Sequence, residues 1–245
     1  MGILLGMRAL PGRSSRTSLP EPAAVTRDSV AADQRRRILR ATGELVAKRG
    51  YNGVSVELIV KRAKVSFKTF YKHFSNKEEA FLELFDTEMA AARERVDVAL
   101  KETAEEPWPA QVAAGMRALF AAILADPIIA KACIVEAPTV GPVIAERYDA
   151  AMKSLAPLLR EGRKQMSKGQ ELPKTLEDTL AGSVLWSAYQ RLIVGEVDRI
   201  ETLLPEAIIF VLRPYIGEKE ATRWAEESQG ITGPESGASA STAPS

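Results

Sequence analysis

Cysteine and histidine are almost missing from this chain: among 245 residues there is one of each, Cys133 and His73. A lone cysteine excludes an internal disulfide framework and suits a reducing compartment, where it is expected as a small buried apolar residue. A lone histidine excludes a multi-histidine metal site and a histidine-based catalytic triad away from His73. An enzyme would be left with carboxylate or lysine chemistry, and no paired motif points to it. The chain is therefore expected to be no enzyme and to need no cofactor and no metal. Long apolar runs are missing too. The run "AIIFVL", Ala207 to Leu212, is far short of the roughly 18 residues of a membrane span. The opening "MGILLGMRALPG" has no preceding basic residue and no small-residue cleavage site, so no signal peptide is expected. These absences predict a cytoplasmic protein without a membrane partner.

What is present is helical pattern and a split of charge. The net charge of +1 hides the split. From Asp33 to Lys77 there are about 12 Lys and Arg against 3 acids, and after Lys77 about 17 against 27. No alternating strand pattern and no internal repeat is found. Residues 1–32, rich in Arg, Ser, Pro and Ala, are expected to be a disordered arm, and residues 227–245, ending "GITGPESGASASTAPS", a disordered tail. The fold class between them is all-α, with about nine helices.

The first helix is expected from about Ala32 to Arg49, closed by "RGYNG" at Gly50. A second, "VELIVKRA", is capped by Ser55, and a third, "FKTFYKHF", by Ser66. A fourth opens with "SNKE", read as a capping box of Ser75 and Glu78, and runs to about Leu100. Pro142, Pro173 and Pro205 suit helix starts, while Pro157 falls mid-pattern and predicts a kink. Two short helices around a tight turn make a helix-turn-helix, here 55–74, whose second helix enters the DNA major groove. Phe70 and Phe74, four apart, would hold that helix to its neighbours. Phe67, Lys68, Lys72 and His73 fall elsewhere and would serve the groove.

The segment "RRRILRATGELVAKRGYNGVSVELIVKRAKVSFKTFYKHFSNKEEAFLELFD", Arg35 to Asp86, resembles the DNA-binding domain of the tetracycline-repressor (TetR) family of bacterial transcriptional regulators. The resemblance lies in Gly-Tyr after helix 1, the hydroxyl residue opening helix 2, Val-Ser-x-x-Thr-Phe-Tyr-x-x-Phe, and Lys-Glu opening helix 4. It implies phosphate contacts from Ser55, Thr69, Tyr71 and Lys77, and groove-side positions for Ser66, Phe67, Lys68, Lys72 and His73. Two departures stand out. Lys64 occupies the turn where the family usually has glycine, a left-handed geometry costing a non-glycine residue about 1 kcal/mol. Val60-Lys61 stands where an alanine is common.

The resemblance also implies a DNA-binding domain at 33–79 and an effector-binding and dimerisation domain at 80–226. For a pocket between its helices the candidates are Trp108, Met116, Phe120, Tyr148, Met152, Trp186 and Tyr189, with core packing as the alternative for each. The effector would be a small, mainly hydrophobic molecule. For a homodimer interface, two apolar stripes qualify: Leu176, Leu180, Val184 and Arg191 on one helix, and Leu204, Ala207, Ile208, Val211 and Tyr215 on the next. The function expected is a ligand-responsive transcriptional regulator, a repressor released from a palindromic operator. A helical interaction adaptor is the alternative, separated by whether random duplex is bound in a salt-sensitive way.

Overall fold

The computed structural model describes residues 27–166 and 171–229. The helices are α1 (Arg27–Arg49), α2 (Val56–Ala63), α3 (Phe67–His73), α4 (Lys77–Glu102), α5 (Trp108–Ala125), α6 (Pro127–Lys131), α7 (Pro142–Lys153), α8 (Ala156–Arg160), α9 (Leu176–Val194), α10 (Asp198–Thr202), α11 (Leu204–Ile216) and α12 (Glu218–Gln229). The described residues contain no strand. Among the described residues there are thus twelve helices, three of them the five-residue pieces α6, α8 and α10, against the nine or so that the pattern predicts.

Three boundaries differ from expectation. α1 begins at Arg27, so residues 27–32 are helix and not arm, with Asp28 in the first turn favouring the helix dipole. α12 carries helix through 227–229, into the expected tail. The rest of both terminal segments lies outside the described residues. Pro157 does not kink a helix but starts one. The chain breaks after Lys153, and Pro157 sits in the first turn of α8, where its missing N–H costs nothing, as do Pro127, Pro142 and Pro205 in α6, α7 and α11.

Two apolar cores are formed. The first joins α1 to α4 through Ile38, Ile59, Phe70, Phe74, Phe81 and Phe85, all buried. It also takes in Ile129, Ala132, Cys133 and Ile144 from the second half of the chain. The second is centred on α5, which packs against α4, α11 and α12, and includes Val112, Phe120, Leu192, Ile208 and Tyr215. Among the described residues α5 alone has the length and composition to cross a membrane, with mean hydropathy 1.3. Half of it is buried inside the bundle, and its Arg117 donates to the Ser228 carbonyl of α12 (3.3 Å).

The segment after α5 ties the two cores together. α6 runs into a π-turn, Ala132–Glu136, and both pack on α1. Gly43 of α1 permits this approach, since a methyl there would meet Ile129 Cδ1 at 2.5 Å and Leu84 Cδ2 at 2.8 Å. Arg40 of α1 pairs with Asp126, whose other carboxylate oxygen caps α6 at Ile129 N (3.2 Å). At the far end of the bundle, buried Glu177 accepts from Arg163 (2.6 and 3.1 Å) and from the Tyr215 hydroxyl (3.1 Å). Arg163 also donates to the Pro173 carbonyl (2.6 Å), so α9, α11 and the 161–165 turn are held at one point.

Candidate functional site

The α2–turn–α3 unit is built by local chemistry. Ser55 caps α2, its hydroxyl accepting from Leu58 N (3.3 Å), and Ser66 caps α3 through Thr69 N (3.0 Å). Between them Lys64 is left-handed (φ 55°, ψ 48°), and Val65 N→Val60 O (3.0 Å) with Lys64 N→Lys61 O (3.4 Å) complete a Schellman closure. The geometry usually given to glycine is kept here by lysine. Phe70 and Phe74 are buried, as their spacing predicts.

The outer face of α3 is made by Phe67 (49% exposed), Lys68, Tyr71 (56% exposed) and Lys72, four residues on adjoining turns. Ser66 is exposed, and its hydroxyl also pairs with Thr69 Oγ1 (2.9 Å), so both hydroxyls are engaged in the cap. Ser55 is exposed at the start of α2. Two expected members of this face are turned elsewhere. His73 is half-buried beside Phe74, with Nε2 buried and without a hydrogen-bond partner. Burial holds its imidazole below the ordinary value, and the charges of Arg35 and Lys72 add to the effect, so the ring is a neutral packing element. Lys77 donates from Nζ to the Tyr51 (3.0 Å) and Val54 (2.9 Å) carbonyls and lies 4.2 Å from the Tyr51 ring centroid. These carbonyls bracket the 51–53 turn before α2, in which Tyr51 O also accepts from Val54 N (3.2 Å), so the ammonium ties the turn to the start of α4.

The start of α4 is also shifted by one residue from expectation. Asn76, not Ser75, is the cap, accepting from Glu79 N (2.8 Å), while the Glu79 carboxylate reaches back to Ser75 N (2.6 Å). Asn caps as well as Ser, and this register places Lys77 at the first helical position, facing Tyr51. Hydrogen bonding from Ser75, its backbone N–H first and its hydroxyl next, holds the Glu79 carboxyl below its ordinary value. Sequence reasoning missed Arg35. It pairs with Glu83 of α4, donates to the His73 carbonyl (3.5 Å) and lies 4.8 Å from the Phe74 ring centroid, joining α1, α3 and α4. No local signal links positions 48 residues apart.

The larger half contains adjoining cavities beneath α4. One of about 290 Å³ is lined by Glu88, Leu119, Ile129, Cys133, Tyr148 and Met152 among others. A second of about 80 Å³ is walled by Val96, Met116, Leu119, Met152 and Leu158 and is almost wholly apolar. A third, about 360 Å³, opens beside Met89, Arg93, Asp97 and Met152. Of the residues expected to line a pocket, Met116, Tyr148 and Met152 each border one of these cavities. Trp108 and Phe120 do not. Trp108 packs edge-on against Tyr215 (5.2 Å) and donates Nε1 to Leu158 O (2.8 Å), and Phe120 is buried in the α5 core. Trp186 is 58% exposed and stacked on half-buried Tyr189 (5.0 Å, 8° between planes).

The stripes chosen for a dimer face are the inward ones. Leu180, Val184, Ile208 and Val211 are buried within the single chain, as are Ala207 and Tyr215, and Leu176 and Leu204 are half-buried. Arg191 closes the end of α9 by pairing with Glu196 (2.7 Å). Both helices are apolar on more than one side, and periodicity cannot tell which apolar side faces the chain's own core. The open side carries Trp186 and Phe210 (48% exposed), around a groove with Ser183, Ser187, Leu203 and Glu206.

Comparison with known proteins bears on the first half. Residues 38–84 match the family model "Bacterial regulatory proteins, tetR family". An "Uncharacterized HTH-type transcriptional regulator YhgD" of Bacillus subtilis (strain 168) is 32% identical over 72 residues, 29% of this chain and 38% of that protein. The "Fatty acid metabolism regulator protein" of the same organism is 37% identical over 68 residues, 28% of this chain and 35% of that protein. The matches thus span little more than a third of either relative's length. Among solved structures, the transcriptional regulator FadR from Bacillus subtilis in complex with stearoyl-CoA superposes with a TM-score of 0.59 over 70% of this chain and 96% of that one. Its 20% identity carries the likeness of fold. Residues 38–84 thus carry a helix-turn-helix unit that matches the tetR family of bacterial regulatory proteins, with an all-helical body behind it whose likeness to solved structures is one of fold.

Proposed function

We propose that the protein is a ligand-responsive transcriptional repressor that binds a near-palindromic operator as a homodimer and leaves it when a small apolar molecule fills the helical body. The observation that carries this reading is the division of α3: Phe70 and Phe74 are buried, while Phe67, Lys68, Tyr71 and Lys72 project together from the basic end of the chain. Such a face supplies phosphate neutralisation and base-edge contacts from one rigid helix. Ser55, Ser66 and Thr69 are assigned to the phosphates flanking it. The working division is a DNA-binding unit at 33–79 and an effector and dimerisation unit at 80–226, in the cytoplasm.

Two recognition helices must meet grooves about 34–36 Å apart, or a multiple of that, so a change in their separation weakens binding. α4 and the α6–π-turn segment both belong to the cavity walls and to the first core, which supports their role as the mechanical link. An effector that favours the wrong separation competes with DNA through one shape equilibrium. The bound acyl-CoA of the FadR structure is in keeping with an apolar chamber in this fold. The test is capture of genomic fragments by the purified protein, followed by titration of the captured duplex against salt. A recovered two-fold sequence, bound with a log–log salt slope of several units, is the expected result. Binding of no duplex would leave the adaptor reading in its place.

A further inference from the structure

The cavity of about 290 Å³ under α4 is apolar over most of its wall, through Met89, Leu119, Ile123, Ile134, Met152 and Leu185, but besides Arg95 at the rim and Asp126 it is lined by three polar side chains from three elements. They are Glu88 of α4, Tyr148 of α7 and Cys133 of the π-turn. Glu88 and Tyr148 make no hydrogen bond within the described residues, and Glu88 makes no ion pair, although sixteen other charge pairs are formed there. The other carboxylate of the wall, Asp126, is different: Arg40 and the α6 cap occupy it. Burial pushes the Glu88 carboxyl up, against the pull of Arg40 and Arg95. Burial also pushes the Tyr148 hydroxyl up to about 12, with Tyr189 adding, and the Cys133 thiol up to about 12, with the Glu88 charge adding. All three thus share one poorly solvated space, in which the hydroxyl and the thiol keep their protons.

We infer that this cavity is built for an apolar molecule whose single polar head is a hydrogen-bond donor, uncharged or cationic, held by Glu88 with Tyr148 beside it. This rests on reading the helical body as a small-molecule chamber. An ionised carboxylate only accepts hydrogen bonds, whereas a phenol can donate or accept. A donor head satisfies Glu88 and leaves Tyr148 free to complete the contact. A carboxylate head would sit against Glu88 where the surroundings screen charge poorly, and is disfavoured. The carbon chain continues past Leu119 and Met152, which line the neighbouring apolar cavity as well. Arg95, exposed at the rim, offers the competing pose, with an anionic head turned outward.

The experiment is calorimetric titration of the full chain, without DNA, with three ten-carbon probes below their micelle-forming concentrations at pH 7.5: decylamine, decanol and decanoate. Wild type is expected to bind decylamine and decanol at least tenfold more tightly than decanoate. In Glu88→Gln the gap between amine and decanoate should close to under threefold, while decanol stays within threefold of wild type and so confirms an intact cavity. Decanoate binding as tightly as the amine, or a gap that survives Glu88→Gln, would overturn the assignment, as would the absence of binding by all three probes. Decanoate affinity lost in Arg95→Ala would assign the head to the rim instead. These outcomes are separate from operator release: a probe that binds as described but leaves DNA bound counts against the effector reading and not against the head-group assignment.

Discussion

Lys68, Lys72 and Lys77 lie within ten positions of one another, yet their surroundings assign them different work. Lys77 spends two ammonium donors on backbone carbonyls, and hydrogen bonds to charged groups contribute about 1.5–3 kcal/mol each way they are broken. Lys77→Ala should therefore lower unfolding free energy by about 1.5–3 kcal/mol in urea titration. Lys68→Ala and Lys72→Ala, both exposed, should change it by less than about 0.5 kcal/mol while weakening duplex binding and lowering the salt slope by about one unit. Equal stability losses from all three would contradict the division. Glu88 carries the opposite kind of signature. Its folded carboxyl binds a proton more strongly than the unfolded one, so the folded state gains stability as pH falls through the raised value and loses it as pH rises. Glu88→Gln should melt higher than wild type at pH 7, and the advantage should vanish as the pH drops into the carboxylate range. A constant offset across pH would show that charge burial is not the cause.

Among the elements, the joint between α9, α11 and the 161–165 turn depends on one buried carboxylate. Glu177 is held below its ordinary value chiefly by its hydrogen bonds from Arg163, against the opposing effect of burial. The stability from that pair is present above the ordinary carboxylate value and is lost as pH falls through the lower folded value. Arg163→Leu leaves the buried Glu177 carboxylate without its main partner and should lower the melting temperature at pH 7. The deficit should shrink in acid, where Glu177 protonates in the variant first. Thermal melts of both proteins from pH 7 to pH 3 measure this, and a deficit that does not shrink would place the cost in lost packing of the arginine stem. The π-turn has another role at this scale. By winding Cys133 and Ile134 around one loose turn it puts neighbouring residues into the two different cores.

At the scale of the whole molecule, the choice of dimer face decides the geometry that DNA would meet. Trp186 and Phe210 are large, apolar and about half exposed, and scattered apolar exposure matters most when it gathers around a groove. Trp186→Glu with Phe210→Glu should yield a folded monomer by sedimentation, with unchanged helical content and operator affinity reduced at least a hundredfold. Val184→Asp with Ile208→Glu should instead unfold the protomer, because both side chains are buried in its own core and an unpaired buried charge costs several kcal/mol. A dimer that survives the first pair places the interface on another surface.

The all-helical class, the long α4, the serine caps of α2 and α3, and the inward Phe70 and Phe74 were legible in the sequence, because each depends on spacing and capping within a few residues. The left-handed turn at Lys64 was expected only through the family resemblance, which usually has glycine there. The tertiary structure alone decided what each apolar or charged side chain faces. Periodicity marked Leu180, Val184, Ile208 and Val211 without saying that their partner is the same chain. The family resemblance placed Lys77 and His73 on a DNA face, but the carbonyls that hold one and the burial that keeps the other neutral come from segments brought in by folding. Glu88, Tyr148 and Cys133 lie up to 60 positions apart along the chain and meet because α4, the π-turn and α7 enclose one space. Local pattern fixes a helix and its faces; only packing over long separations determines which face finds a core, a cavity or water.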